Sequence, residues 1–281
     1  MKIIRSIKSM QRMARQIASE GKTIGLVPTM GGLHEGHLSL IRRAAQKADV
    51  VIVSIFVNPT QFAQGEDLSS YPRDEKNDRN KIRLSGGDIV FIPKAIDIYP
   101  EDYQTYVTVE KLTRTLEGNS RPTHFRGVTT VVAKLYNICS PDVVVFGVKD
   151  YQQAIVLRQM TKDLGYAVKF IISPTVREPD GLAMSSRNAY FDDNQRSDAL
   201  CLYYALKSAK NMVRSDITSV GKIEKEMRAA IKATCSTAEI DYIAFTDFST
   251  LRPVKKITKG TICSLAVVIH NIRLIDNMKL A

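Results

Sequence analysis

The run Val50-Val51-Ile52-Val53-Ser54-Ile55-Phe56-Val57 sets the tightest limit on the fold. It is apolar and β-branched without alternation, so a strand formed there must be covered on both faces. Such a strand belongs to a parallel sheet with helices on either side, and the flanking sequence supplies them. Residues 23–27 read as a second buried strand, and Leu38, Ile41, Ala44, Ala45 and Ala48 recur at helical spacing between the two. The alternation continues with a charged helix over 74–84, a strand over 88–92, a helix over 128–138 and a strand over 143–146. A helix over 151–164 and a strand over 168–172 complete it. This order predicts an α/β fold, a doubly wound Rossmann-like parallel sheet whose ligands meet the carboxyl ends of the strands.

After Pro174 the texture changes. A polar loop over 177–188 leads into helical stretches over 195–214 and 220–233, then strand-like runs over 241–248 and 262–269. Helices followed by strands describe a smaller α+β domain, so the expected division is 1–176 and 177–281. A chain of 281 residues with 44% hydrophobic content can bury a core in each.

No apolar run reaches the roughly eighteen residues of a membrane span, and the N-terminal residues open a charged amphipathic pattern. A cytoplasmic protein with no membrane partner is expected. Cys139, Cys201, Cys235 and Cys263 are scattered, without a C-x-x-C pair, and read as reduced buried thiols. Forty Lys and Arg against 29 Asp and Glu leave a net charge of +11, which favours anionic partners. A nucleic-acid module would fit the charge, but tryptophan is absent and no Lys/Arg stripe is interleaved with aromatics, so no nucleic-acid partner is expected.

Two of the four histidines stand in the loop Pro28-Thr29-Met30-Gly31-Gly32-Leu33-His34-Glu35-Gly36-His37, between the first buried strand and its helix. That helix begins without Ser, Thr, Asp or Asn as a cap. Its free N–H groups, its dipole and the two imidazoles are expected to converge on an anion such as a triphosphate. Zinc is disfavoured, because the histidines are three apart and a glycine between them opposes a continuous helix. Gly21-Lys22-Thr23 is no phosphate-binding P-loop either, since it precedes a strand instead of following one.

Other polar groups gather where strands end. Gly147-Val148-Lys149-Asp150-Tyr151-Gln152-Gln153 offers a cation for phosphate, a carboxylate for ribose or a cap, and the Gln153 amide for a neutral polar substrate. Asn58 and Gln61 follow residue 57 and supply amides, suited to hydroxyls and carboxylates that must be oriented but not neutralised. Met184-Ser185-Ser186-Arg187-Asn188 offers hydroxyls and a guanidinium for phosphate oxygens.

H-x-G-H after the first strand resembles the signature of the adenylate-forming nucleotidyltransferase superfamily, and the later Ser/Arg loop strengthens the likeness. In full, the chain resembles the pantoate-β-alanine ligase family. The resemblance rests on residues 27–37, residues 56–62, Glu66-Asp67-Leu68 with Tyr71-Pro72-Arg73, and His124-Phe125-Arg126-Gly127-Val128. Lys149-Asp150 with Gln152-Gln153, residues 184–188, and Arg273-Leu274-Ile275-Asp276-Asn277 complete it. It implies two steps: pantoate carboxylate attacks the α-phosphorus of ATP, then the amine of β-alanine displaces AMP.

By that resemblance His34, His37, Lys149, Ser185, Ser186 and Arg187 polarise the phosphates, with His37 as proton donor. The ATP site falls on Met30, Gly31, Gly32, Leu33, His34, Glu35, Gly36, His37, Gly147, Val148, Lys149, Asp150, Val176, Met184, Ser185, Ser186 and Arg187. Pantoate falls on Gln61 and Gln153 with Pro28 and Met30 as an apolar wall, and β-alanine on Gln61. Mg2+ comes with ATP without direct protein ligands, and a homodimer is implied. Val148 stands where the family commonly has Glu or Gln, and Thr123 where it has Gly, so loop detail alone is affected. A nucleotidyltransferase that stops at a nucleotide-acceptor product is the rival reading. A phosphorylated acceptor would want Arg or Lys where this chain has Gln61 and Gln153.

Overall fold

A computed structural model of the chain describes residues 1–62, 65–66 and 68–281. Two compact units form, Met1–Val148 with Val156–Pro174 and Lys149–Ile155 with Thr175–Ala281. The second thus includes the first turn of a helix whose remainder counts with the first.

In the first unit the strands are β1 (Lys2–Ile4), β2 (Ile24–Thr29), β3 (Val50–Ile55), β4 (Ile89–Phe91), β5 (Val143–Gly147) and β6 (Lys169–Ser173). They form one sheet in the order β1-β4-β3-β2-β5-β6, and every pairing is parallel. The helices are α1 (Ile7–Ser19), α2 (Glu35–Ala45), α3 (Glu75–Leu84), α4 (Ala95–Ile98), α5 (Glu117–Ser120), α6 (His124–Cys139) and α7 (Tyr151–Asp163).

Both faces of the sheet are covered, as residues 50–57 demand. Leu26, Ile52, Val144 and Phe146 pack with Met10 and Ala14 of α1 and with Val131 and Leu135 of α6. Their strand neighbours Val27, Val51, Val53, Val143 and Val145 pack with Leu40, Ile41 and Ala44 of α2 and Ile82 of α3. Successive residues of a strand point to opposite faces, so one uninterrupted apolar run fills two cores. The sheet order reverses at β2, whose neighbours are β3 and β5, and doubly wound sheets hold ligands at the carboxyl side of such a switch.

The second unit contains α8 (Asp193–Ala199), α9 (Cys201–Arg214), α10 (Val220–Thr234), and strands β7 (Glu239–Asp247), β8 (Thr261–Ile269) and β9 (Ile272–Lys279). The strands form an antiparallel sheet in the order β7-β8-β9. The helical stretch expected over 195–214 divides at Leu200, between α8 and α9. Strand β9 has no counterpart in the sequence reading. Buried Asp276 interrupts the apolar face of Ile272, Leu274 and Met278, and the turn that starts the strand is His270-Asn271, both at positive φ, a two-residue hairpin without glycine. All four cysteines are buried and unbridged. Among the described residues no helix is long and apolar enough to cross a membrane.

Candidate active site

Strand β2 ends at Thr29 and the chain turns through Met30, Gly31, Gly32 and Leu33 into α2. Gly31 and Gly32 have φ of +85° and +61°, a region closed to most side chains. A Cβ on Gly31 would also stand 3.1 Å from an Asp78 oxygen and 3.2 Å from Ile55. Asp78, 2% exposed on α3, accepts the N–H groups of Gly32 at 2.9 Å and Leu33 at 2.8 Å through its two oxygens. Lys81 then donates to the Leu33 carbonyl at 2.6 Å. The loop is therefore fixed by a buried carboxylate that its own sequence does not contain.

Helix α2 is capped by the histidines themselves, which corrects the expectation of an uncapped end. His34 is the N-cap and its Nδ1 accepts from the Gly36 N–H at 3.2 Å, while His37 Nδ1 accepts from the His34 N–H at 3.4 Å. This reciprocal arrangement resembles a capping box, with imidazole in place of hydroxyl and carboxylate. The rings lie 4.1 Å apart between centroids, tilted by 41°. A backbone N–H can be accepted only by an unprotonated ring nitrogen. Each neutral imidazole therefore carries its proton on Nε2, as a donor.

Beyond β3 the chain enters a 3-10 turn, Pro59–Gln61, capped by Asn58. Asn58 is 1% exposed, and its amide donates to Gln61 Oε1 at 3.2 Å and to the Gly127 carbonyl at 3.1 Å. Its role is to cap and brace the turn. Gln61 is half-buried and its Nε2 lies 2.9 Å from the Met30 thioether. Two residues expected to line an acid subsite are thus in contact, in loops after adjacent strands. Pro28, half-buried, lies in β2 two residues before Met30.

The Gln61 backbone is held as firmly as its side chain. Its carbonyl accepts from His124 Nδ1 at 2.8 Å and from Arg121 Nη2 at 3.1 Å, and Arg121 pairs with both oxygens of Glu66 at 2.6 and 2.5 Å. A carbonyl only accepts, so His124 carries a proton on Nδ1. Burial, with Arg121 beside it, pushes the His124 pKa down to about 4, so the ring is neutral and its Nε2 faces Arg121. Glu66, one of the residues that carry the resemblance, acts in this clamp. Ala63, Gln64 and Asp67 lie outside the described residues.

In the second unit Lys149 and Asp150 follow β5 in the short turn Val148–Asp150, their side chains 3.4 Å apart. Asp150 is exposed and Lys149 half-buried; next along α7, Gln152 is 4% exposed and Gln153 half-buried. Residues 176–184 form a small hairpin in which Met184 N–H donates to the Val176 carbonyl at 3.1 Å and Arg177 pairs with Ala183. Two residues expected to hold the nucleotide, Val176 and Met184, are thereby brought together. Ser185 caps the following turn, accepting the Arg187 N–H at 3.3 Å, and Ser186 and Arg187 lie half-buried within that turn.

Sequence reasoning passed over Asp78, Arg121, His124 and Asn277 as working residues. For Asp78 the available signal was a polar residue on the apolar side of its helix, in the register of Ile82, while His124 and Asn277 stand in motifs that carry the resemblance without an assigned role. Among the described residues no three His, Cys, Asp or Glu side chains are grouped to hold a metal.

The doubly wound sheet and the imidazole-capped helix at its switch point define an α/β enzyme of the H-x-G-H kind. The family model for pantoate-beta-alanine ligase matches residues 2–279, and the chain belongs to that family. It is 51% identical to the pantothenate synthetase of Geotalea uraniireducens over 277 residues, 99% of this chain and 98% of that one. The pantothenate synthetase of Geobacter sulfurreducens is 49% identical over the same shares. Among solved structures, pantothenate synthetase from Thermus thermophilus has a TM-score of 0.95 at 39% identity, covering 100% of this chain and 99% of that one. Pantoate-beta-alanine ligase from Francisella tularensis, complexed with beta-gamma ATP and beta-alanine, has a TM-score of 0.81 at 35% identity, covering 99% and 97%.

Proposed function

We propose that this chain is the ATP-dependent ligase that joins pantoate to β-alanine through a pantoyl-adenylate. The observation that carries the reading is the contact between Met30 and Gln61: the loop holding both imidazoles also holds a neutral amide in place. Donors for phosphate and the apolar wall of a hydroxy-acid subsite, Pro28 and Met30, thus share residues 28–37, with the Gln61 amide against Met30.

In the first step a pantoate carboxylate oxygen attacks the α-phosphorus and the bond to the β-phosphate bridging oxygen breaks, releasing pyrophosphate. Negative charge builds on the non-bridging oxygens, and donors fixed before the reaction stabilise it without reorganising. His34 and His37 supply Nε2–H, with His37 as the proton donor, and Lys149, Ser185, Ser186 and Arg187 supply the second set. Residues 30–37, 147–150, Val176 and 184–187 make up the ATP site. Gln61 and Gln153 orient pantoate against Pro28 and Met30.

In the second step the neutral amine of β-alanine, held by Gln61, attacks the acyl carbon. The amide bond forms, the carbon–oxygen bond to AMP breaks, and the ammonium proton lost on the way leaves to solvent or phosphate. Residues 1–176 bind nucleotide and acid, and residues 177–281 close over the nucleotide. Mg2+ enters with ATP as part of the substrate. The same reading makes the protein a cytoplasmic homodimer, which its mass in solution tests.

Release of AMP measured with ATP, pantoate and β-alanine, and with each acid omitted, separates this reaction from its rival. AMP and pantothenate are expected at equal rates only when all three are present. A stable nucleotide-acceptor product would contradict the proposal.

A further inference from the structure

Strand β9 carries Asp276 and Asn277, a carboxylate and an amide side by side, each 4% exposed. Burying such groups is costly unless they are hydrogen-bonded, so their partners indicate what they are for. Asn277 Nδ2 donates to the backbone carbonyl of Lys149 at 2.8 Å. The Asn277 N–H donates to Asp276 Oδ1 at 2.7 Å. Asp276 takes the Arg177 guanidinium with both oxygens, at 2.7 and 3.0 Å, and Arg177 returns to the Asn277 carbonyl at 3.2 Å and the Gly181 carbonyl at 3.0 Å. Adjacent residues of one strand thus hold the peptide of Lys149 and the hairpin that leads to Met184.

A Lys side chain has four rotatable carbons and no rigid geometry of its own, so its aim depends on its backbone. The Lys149 peptide lies in a short turn between β5 and α7. Fixing its carbonyl fixes the peptide plane, and with it the direction in which the side chain leaves. Removing that bond keeps the ammonium group but no longer fixes its position.

We propose that Asn277 is a positioning residue for adenylate formation, acting through the backbone of Lys149. The inference rests on the reading of Lys149 as a cation for the ATP phosphates. The test is a cycle of wild type, Asn277→Ala, Lys149→Ala and the double variant, measured by pantoate-dependent exchange of pyrophosphate into ATP, with a melting curve for each.

Asn277→Ala is expected to lower kcat of exchange on the order of tenfold with the KM for pantoate unchanged, the scale of a slightly misplaced group. In the Lys149→Ala background the same change is expected to alter the rate less than about twofold, because the group it aims is gone. Equal loss in both backgrounds, or a raised KM for pantoate, means general loosening and overturns the role of Asn277 while leaving that of Lys149 intact. A near-normal rate for Lys149→Ala alone refutes the Lys149 reading itself. If Asn277→Ala does not accumulate as folded protein, Asn277→Ser runs the same cycle with the same two outcomes.

Discussion

His37 caps His34: its Nδ1 accepts the His34 backbone N–H at 3.4 Å, and His34 Nδ1 accepts that of Gly36 at 3.2 Å. One face of each ring thereby ends a helix, and the proton of the neutral ring sits on Nε2. Capping and catalysis can then be separated by substitution. His34→Asn keeps a short acceptor near the Nδ1 position and deletes the distal donor. It is expected to melt within about 0.5 kcal/mol of wild type while exchange falls on the order of a hundredfold, the loss of one transition-state donor. His34→Ala loses the cap as well, about 1 kcal/mol in addition. Normal exchange by a folded His34→Asn enzyme would remove His34 from the chemistry.

Gly127 on α6 lies against the turn that carries Gln61. A Cβ there would stand 2.4 Å from the Thr60 carbonyl oxygen and 2.7 Å from the Gln61 nitrogen, both backbone atoms. Gly127→Ala must push the turn away and is expected to destabilise by about 2 kcal/mol. The displaced Gln61 should raise the KM for pantoate more than it lowers kcat. Denaturant unfolding and initial rates check the pair, and a loss confined to kcat contradicts the placement of Gln61.

His124 gives the fold a sensitivity to acid. Its folded pKa, about 4, is below the ordinary 6.5, so the fold favours the neutral ring. The stability this contributes is whole above 6.5 and is lost as pH falls through 6.5 towards 4. The loss is on the order of 2 kcal/mol for a half-buried site. Unfolding free energy measured from pH 7.5 to 4 should fall less steeply in His124→Gln than in wild type. Identical slopes would mean that the ring titrates normally.

Asp276 is 4% exposed and opposes Arg177 through two hydrogen bonds. Asp276→Asn leaves the guanidinium without its counter-charge and is expected to destabilise by about 3 kcal/mol, with Arg177→Met in addition recovering part of the loss. A melting-temperature series over the two single variants and the double variant tests this. Strict additivity would show that the pair is not coupled.

Much of the fold is legible in the sequence for one physical reason. Strands buried on both faces cannot alternate, and residues 50–55 and 143–147 advertise that without any structure. The strand β9 is hidden because Asp276 occupies the inward position between Leu274 and Met278, where an apolar residue would have marked the period. The site divides in the same way. His34, His37, Gln61 and Lys149 follow strand ends, where ligands gather in this architecture, so their type and position suffice to mark them. Asp78 and His124 act from helices distant in sequence, through bonds to the Gly32, Leu33 and Gln61 backbones. Backbone partners leave no trace in residue identity. The histidine cap is not legible in the sequence because imidazole is not among the usual N-cap side chains.

Exchange of labelled pyrophosphate into ATP, followed with pantoate present and β-alanine withheld, tests most directly whether the acid is activated at the α-phosphorus before the amine arrives. Label is expected to enter ATP at a rate that saturates with pantoate and vanishes without it. Exchange that requires β-alanine, or that proceeds equally without pantoate, would contradict a pantoyl-adenylate intermediate.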